Sequence, residues 1–136
     1  MIANTIVAAL KEGLTPNTHI TALCDGAKNC WQIITAFIPI AATVTCILDW
    51  FHLSVKIHNI ALPADLKSQL ESVKWHLWHG QANDALTKLN ALIWEAPEKK
   101  QILLKKLKIY IENNSDKIIN YDERQNAGLV YTSNLA

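Results

Sequence analysis

Two aspartates in this sequence each follow a short apolar segment, and acids in that position are candidates for metal chemistry. Asp25 follows His-Ile-Thr-Ala-Leu-Cys, and Asp49 follows Thr-Val-Thr-Cys-Ile-Leu. Carboxylates at the ends of neighbouring strands can hold divalent cations through hard oxygen ligands, which two-metal phosphoryl transfer requires. Acids also end strands for structural reasons, and Asp25 with Gly26 could simply begin a turn.

The segment Asp49-Trp50-Phe51-His52 is the second candidate. The spacing Asp-x-x-His places a carboxylate and an imidazole on one side of a junction between a strand and a helix. The alternative is a structural one, in which a backbone carbonyl satisfies His52 and Phe51 lies in the core. Taken alone, the spacing favours that alternative, because lone histidines seldom act as ligands or bases.

The elements that must position these residues follow from the apolar pattern. Residues 19–24 and 43–48 are predicted strands, and residues 27–37 between them form a predicted helix that ends before Pro39. Strand, helix and strand with short connections predict a βαβ unit with parallel strands and a right-handed crossover. Both aspartates then lie at carboxyl ends of strands, where sites collect in open α/β sheets.

The second half of the chain is predicted to be helical from Trp50 onward. Pro63 begins one helix that ends at Gly80, Asn83 caps the next, Pro97 begins a third, and Ser115 caps a short last one. Their inward-facing apolar positions recur every three or four residues: Leu66, Leu70, Val73 and Leu77; Leu86, Leu89 and Ile93; Leu103, Leu107, Tyr110 and Ile111. The predicted fold class is therefore α/β and mostly helical.

The bulk composition bounds the function only loosely. A chain of 136 residues suffices for one modest domain, and its net charge of +1 argues neither for nor against a nucleic-acid partner. It has no Gly-rich phosphate loop. Its three cysteines (Cys24, Cys30 and Cys46) have no zinc spacing with its histidines, so we expect buried reduced thiols in a cytoplasmic protein. We see no signal peptide at the start.

One uncharged stretch, residues 30–48, resembles a membrane span in hydropathy. Pro39 interrupts it, Gln32 and several threonines add polarity, and the residue preference changes halfway from helix-compatible to β-branched. A buried helix followed by a buried strand accounts for that change. We therefore predict no membrane partner, and keep a small single-span membrane protein as the weakest alternative.

Several motifs, taken in order, resemble DDE-type insertion-sequence transposases. Residues 20–31 (ITALCDGAKNCW) are similar to the segment that carries the second catalytic Asp in that family. Residues 47–52 (ILDWFH) resemble its next signature, Cys or Asp with His three residues later. Residues 74–80 (KWHLWHG) resemble its insertion helices, and residues 110–128 resemble the lead-in to its catalytic Glu. The resemblance extends from about Thr18 to Ala136.

The resemblance implies an RNase H-like fold with a helical insertion. Three acids in the family hold two Mg²⁺ (or Mn²⁺) ions, which activate water or a DNA 3′-hydroxyl for attack on phosphate at insertion-sequence ends. Asp25 is carried over as a metal-binding catalytic acid. Asp49 and His52 are carried over as signature residues that support the site.

The resemblance also implies an incomplete set of acids. Residues 1–60 would be a partial RNase H-like catalytic core, and residues 61–136 a helical insertion region ending just before the expected Glu. The first Asp is expected upstream of these residues and the Glu beyond Ala136, since the glutamates of the insertion region do not match its position. We therefore expect no activity from this chain alone. The unpaired edge of the strand at residues 19–24 would favour self-association.

Other interpretations of the helical half stay open. The helix pair around residues 77–86 resembles a helical-repeat hairpin, which predicts a protein-interaction module, but it occurs once where stable arrays need about three copies. Trp75 and Trp78 are predicted to lie in the core or at its rim, although an exposed pair could stack on bases. The lysines between Lys99 and Lys108 spread around their helix, which is typical of a solvated surface.

Overall fold

The computed structural model of the chain describes residues 19–25 and 43–133. The predicted crossover helix at residues 27–37 lies outside these residues, as does Cys30. The described part is mostly helical with a small sheet, which agrees with the predicted fold class at that level. It falls into two compact units, one up to Ile47 and one from Leu48 onward.

The first unit contains a parallel pair of strands. Strand β1 spans His19–Cys24 and strand β2 spans Thr43–Leu48, as the sequence predicts, and the two are hydrogen-bonded neighbours. Cys24 and Cys46 are joined in a disulfide, with their Cα atoms 6.7 Å apart. The expectation of reduced thiols is therefore wrong for this pair, because adjacent parallel strands bring the two side chains together. Parallel strand pairs occur in many folds, so the RNase H-like frame stays a prediction.

The second unit is built from helices. Their bounds are α1 Trp50–His58, α2 Ala64–Trp78, α3 Ala82–Glu95, α4 Glu98–Asn113 and α5 Tyr121–Asn126, with a 3₁₀ turn at Ser115–Lys117 between α4 and α5. Among the described residues, none of the helices is long and apolar enough to cross a membrane. The end of the uncharged stretch, Thr43–Leu48, is a strand.

Helices α2, α3 and α4 pack on one another in chain order and bury an apolar stripe each. The predicted α2 stripe is confirmed: Leu66, Leu70, Val73 and Leu77 are all buried. Burying one such side chain fully contributes about 1.5–3 kcal/mol relative to leaving it exposed. The turn after α2 requires Gly80, whose φ is +74° and whose absent Cβ would lie 2.9 Å from the backbone nitrogen of Asn120.

The predicted stripe of α4 is confirmed at Leu107 and Ile111 but is wrong at its first position, where Leu104 takes the place of Leu103. Leu104, Leu107 and Ile111 are buried, whereas Leu103 is 39% exposed. Adjacent leucines lie about 100° apart around a helix, so only one of them can face the core centrally. The spacing 104, 107 and 111 matches a helical stripe as well as the predicted set does, and the packing of α3 decides between them.

Two helix starts also differ from prediction. Helix α3 begins at Ala82, which places Asn83 inside its first turn. Ser115 begins the 3₁₀ turn, and α5 begins only at Tyr121, where the Asn120 side chain accepts a hydrogen bond from the Glu123 backbone nitrogen at 3.1 Å. Serine and asparagine are both good capping residues, so local sequence does not discriminate between the two positions.

Candidate functional site

Asp49 occupies the N-cap of α1 immediately after β2. Its backbone is extended, and the residue is only 2% exposed. One carboxylate oxygen, Oδ1, accepts a hydrogen bond from the backbone nitrogen of Phe51 at 3.1 Å. This is the usual way for an aspartate to satisfy the first N–H groups of a helix. The local sequence therefore explains why the side chain points back toward the helix that follows it.

The remaining acceptor positions of Asp49 are occupied by residues from two places in the chain. Ser133 donates twice, from its backbone nitrogen to Oδ1 at 2.9 Å and from its hydroxyl to Oδ2 at 2.5 Å. His52 Nδ1 lies 2.5 Å from Oδ2. A carboxylate offers about four lone-pair positions. With four protein donors in place, Asp49 has no acceptor position left for a metal ion in this arrangement.

These hydrogen bonds also set the charge of Asp49. Burial acts to raise the pKa of its carboxyl group, but the hydrogen bonds from Ser133, His52 and Phe51 outweigh burial. The pKa therefore lies below its ordinary value of 3.8, and the group is an anion at neutral pH. A buried anion with four donors is suited to holding chain segments in place.

His52 is the surface member of the group, with 48% of its side chain exposed. Because a carboxylate only accepts hydrogen bonds, Nδ1 must carry the proton that faces Asp49, which in the neutral ring makes Nε2 the acceptor. The structural alternative, a backbone carbonyl partner for His52 and a core position for Phe51, is wrong: the partner is Asp49, and Phe51 is 39% exposed.

Ser133 is the member of this group that sequence reasoning missed. It lies 84 residues after Asp49, and no local motif marks it. The segment before it is held as well, because the Trp50 backbone nitrogen donates to the Tyr131 carbonyl at 3.2 Å. Since the Ser133 hydroxyl donates to Asp49 and not to His52, the three side chains do not form the Ser–His–Asp relay of a nucleophilic triad.

A cluster of aromatic rings packs around the same junction. Tyr121 is fully buried, and its hydroxyl donates to the Leu48 carbonyl at 2.7 Å. Burial, and after it the nearby Tyr110 and Asp49, raise the pKa of Tyr121, so its hydroxyl stays a donor. The Trp50 ring lies 4.9 Å from the rings of both Trp78 and Tyr121. The cluster holds the start of α1 against the end of α2 and the start of α5.

Asp25, the predicted metal-binding acid, lies in the first unit directly after β1 and is exposed. Within residues 19–25 and 43–133, no group of three or more His, Cys, Asp or Glu side chains could hold a metal ion. The described residues therefore do not fit a complete two-metal site, and we derive no metal-dependent step from them.

Comparisons with protein-family models, with curated proteins and with solved structures find no match to this chain.

Proposed function

We propose that this chain is a part of a DDE-type transposase, in which Asp25 is one metal-binding acid and Asp49 with His52 supports the site. The observation that carries the proposal is the contrast between the two aspartates that follow the parallel strands. Asp25 is exposed, whereas Asp49 is buried and bound by four protein donors. This division matches the roles that the sequence resemblance implies for the two positions.

The placement of the helices supports the same proposal. The resemblance implies a helical region after the second strand, and α1 to α5 follow β2 in that order. Ser133 then leads the chain back to Asp49 at the end of that strand. The proposal expects the chain to come back to the residues after the second strand, because the third acid of the family follows the insertion.

The chemistry of the intact family requires three catalytic acids, which is more than this chain matches. Mg²⁺ or Mn²⁺, when bound by three acids, activates water or a 3′-hydroxyl for attack on DNA phosphate. In this chain, Asp25 is the one residue that matches an acid of the family's set. The isolated chain is therefore predicted not to cleave DNA, and its DNA partner, the ends of an insertion sequence, belongs to the complete enzyme.

The flanking DNA tests this proposal directly. We expect the sequence upstream to encode a strand that ends in an aspartate, and the sequence after Ala136 to encode a helix that carries a glutamate. Flanking DNA that encodes neither, in any reading frame, would contradict the proposal. So would Mg²⁺-dependent DNA cleavage by the purified chain that is abolished in Asp25→Ala, because it would show a complete site within these residues.

A helical protein-interaction module is the second candidate. The observation that favours it is a set of exposed apolar side chains on α3 and α4: Trp94 is 86% exposed, Ile102 58% and Ile109 56%. Exposed large apolar groups often mark interaction surfaces when they lie together. Flanking DNA that encodes further helix pairs similar to α2 and α3 would favour the module, since helical arrays need about three or more repeats.

A further inference from the structure

An open cleft of about 450 Å³ lies beside the Asp49 group in the second unit. Its lining comes from the start of α1, the end of α2, α5 and the segment that precedes Ser133. Its apolar lining is aromatic, from Trp50, Phe51, Trp75, Trp78 and Tyr131, and Lys74 and Gln125 contribute polar groups. A volume of this size lies within the range of small-molecule and nucleotide sites, about 300–1,000 Å³.

The aromatic residues of the cleft divide into a packed set and an exposed set. The Trp78 ring makes T-shaped contacts with the Trp50 ring, at 4.9 Å between centroids, and with the Tyr131 ring, at 5.5 Å; its Nε1 donates to Asp122 at 3.2 Å. By contrast, Trp75 is 54% exposed and Phe51 is 39% exposed. Contacts with neighbouring groups therefore fix the Trp78 ring in the lining, whereas Trp75 and Phe51 present exposed ring surface to a ligand in the cleft.

The polar lining has one sign of charge. Lys74 carries the single formal charge among the described lining residues, and no carboxylate is among them. Gln125 is positioned by its side-chain nitrogen, which donates to the Tyr131 hydroxyl at 3.0 Å. The cleft thus combines exposed indole and phenyl rings with an ammonium group and with amide and hydroxyl groups that can hydrogen-bond a planar polar ring.

We propose that this cleft binds an unpaired nucleotide of single-stranded DNA, with its base stacked on Trp75 and its phosphate near Lys74; this assignment rests on the proposed function. A nucleotide joins a flat ring to an anion within one small unit, and both parts have a counterpart in the cleft. Stacking on exposed aromatic rings together with a cationic side chain is the general way proteins hold single strands. Duplex DNA does not offer a base face, so it is the poorer ligand.

The position of the cleft adds a second reason. Phe51 and Thr132, which line it, are the chain neighbours of His52 and Ser133 in the Asp49 group. A nucleotide in the cleft would therefore lie next to the junction that the proposed function places near the reacting DNA. Trp94 is more exposed than Trp75, but it does not line this cleft, which makes it a matched control.

The test is a fluorescence-anisotropy titration of the purified chain with a labelled oligothymidine about 12 nucleotides long, which covers typical single-strand site sizes. We expect Trp75→Ala to weaken binding by about 5-fold to 150-fold, the range for removing one stacked base. Trp75→Phe should retain most of the affinity, and Trp94→Ala should leave it unchanged. Lys74→Gln should reduce the salt dependence of binding, because one phosphate contact is lost.

The outcomes separate this proposal from the proposed function. Equal effects of Trp75→Ala and Trp94→Ala, or tighter binding of duplex than of single strands with no dependence on Trp75, would overturn the cleft assignment. Absence of any oligothymidine binding by the unaltered chain would overturn it as well. In each case the flanking DNA still decides the proposed function independently. Circular dichroism of every variant, with Trp75→Gln as a second substitution, distinguishes lost binding from lost folding.

Discussion

The second unit contains two regions that are held together in different ways. The helical array, α2 to α4, is held by apolar side chains that recur along each helix and pack against the next helix in the chain. The Asp49 junction, formed by residues 48–58 and 120–133, is held by hydrogen bonds and aromatic rings. Its two central bonds, Tyr121 to Leu48 and Ser133 to Asp49, join residues 73 and 84 positions apart.

The difference separates what maintains the fold from what specifies the site. Apolar burial in the array is non-directional, so exchanging one apolar side chain for another of similar volume changes stability only modestly. The junction depends on donors and acceptors at fixed positions, where removing one partner leaves a buried polar group unsatisfied. We therefore expect substitutions in the array mainly to lower stability. Substitutions in the junction should lower stability less, and should change the position of the segments that Asp49 holds.

The largest effect is expected in the array. Leu89 on α3 is fully buried, and Leu89→Ala should lower the free energy of unfolding by about 2–5 kcal/mol, because it leaves a cavity as well as losing apolar contact. The control is Leu103→Ala, which removes the same atoms from a side chain that is 39% exposed. Urea denaturation measures both. Equal losses for Leu89→Ala and Leu103→Ala would mean that Leu103 lies in the core. That result would contradict the assignment of Leu104, in place of Leu103, to the inward face of α4.

The next effect tests the contact between the array and the junction. Gly80 and Gly128 have similar φ values, +74° and +71°, but only Gly80 lies against backbone, at Asn120. A left-handed conformation costs a non-glycine residue about 1–2 kcal/mol. Gly128→Ala should lower stability by that amount, and Gly80→Ala should lower it further. If thermal denaturation gives the same loss for both, the close approach of residues 119–120 to Gly80 is wrong.

Asp49→Asn should have a smaller effect on stability. The substitution keeps the shape but weakens the charge-assisted hydrogen bonds, and we expect a loss of about 1–3 kcal/mol at neutral pH. Because the pKa of folded Asp49 lies below its ordinary value, this stabilisation is present above about pH 4 and is lost as the pH falls through the folded pKa.

Urea denaturation at several pH values measures that pH dependence. The difference in stability between the unaltered chain and Asp49→Asn should shrink as the solution becomes more acidic. Glu112→Gln is the control, since Glu112 is exposed near the end of α4. If the stability difference between the unaltered chain and Asp49→Asn grows on acidification, the pKa of Asp49 is raised on folding. That result would contradict the conclusion that Asp49 is a buried anion.

The two regions were not equally accessible from sequence. The strands and the α2 stripe follow from residue preference and periodicity, and the spacing of Asp49 and His52 predicted two side chains on one side of a junction. Ser133 and Tyr121 could not be assigned to that junction from the sequence. Their contacts depend on how the helices after α1 bring the chain back to Leu48 and Asp49. The sequence does not decide which of Leu103 and Leu104 faces the core, or which of Ser115 and Asn120 caps the last helix, because both members of each pair suit the local pattern.

The most direct test of the account is a double-mutant cycle on Asp49 and Ser133. Our central claim is that the Asp49 carboxylate holds the segment around Ser133, so Asp49→Asn and Ser133→Ala should be coupled by at least about 0.5 kcal/mol in the free energy of unfolding. In a control cycle, Ser68→Ala, which removes a hydroxyl that donates within α2, should add to Asp49→Asn within about 0.5 kcal/mol. Full additivity of the Asp49 and Ser133 substitutions would contradict the claim.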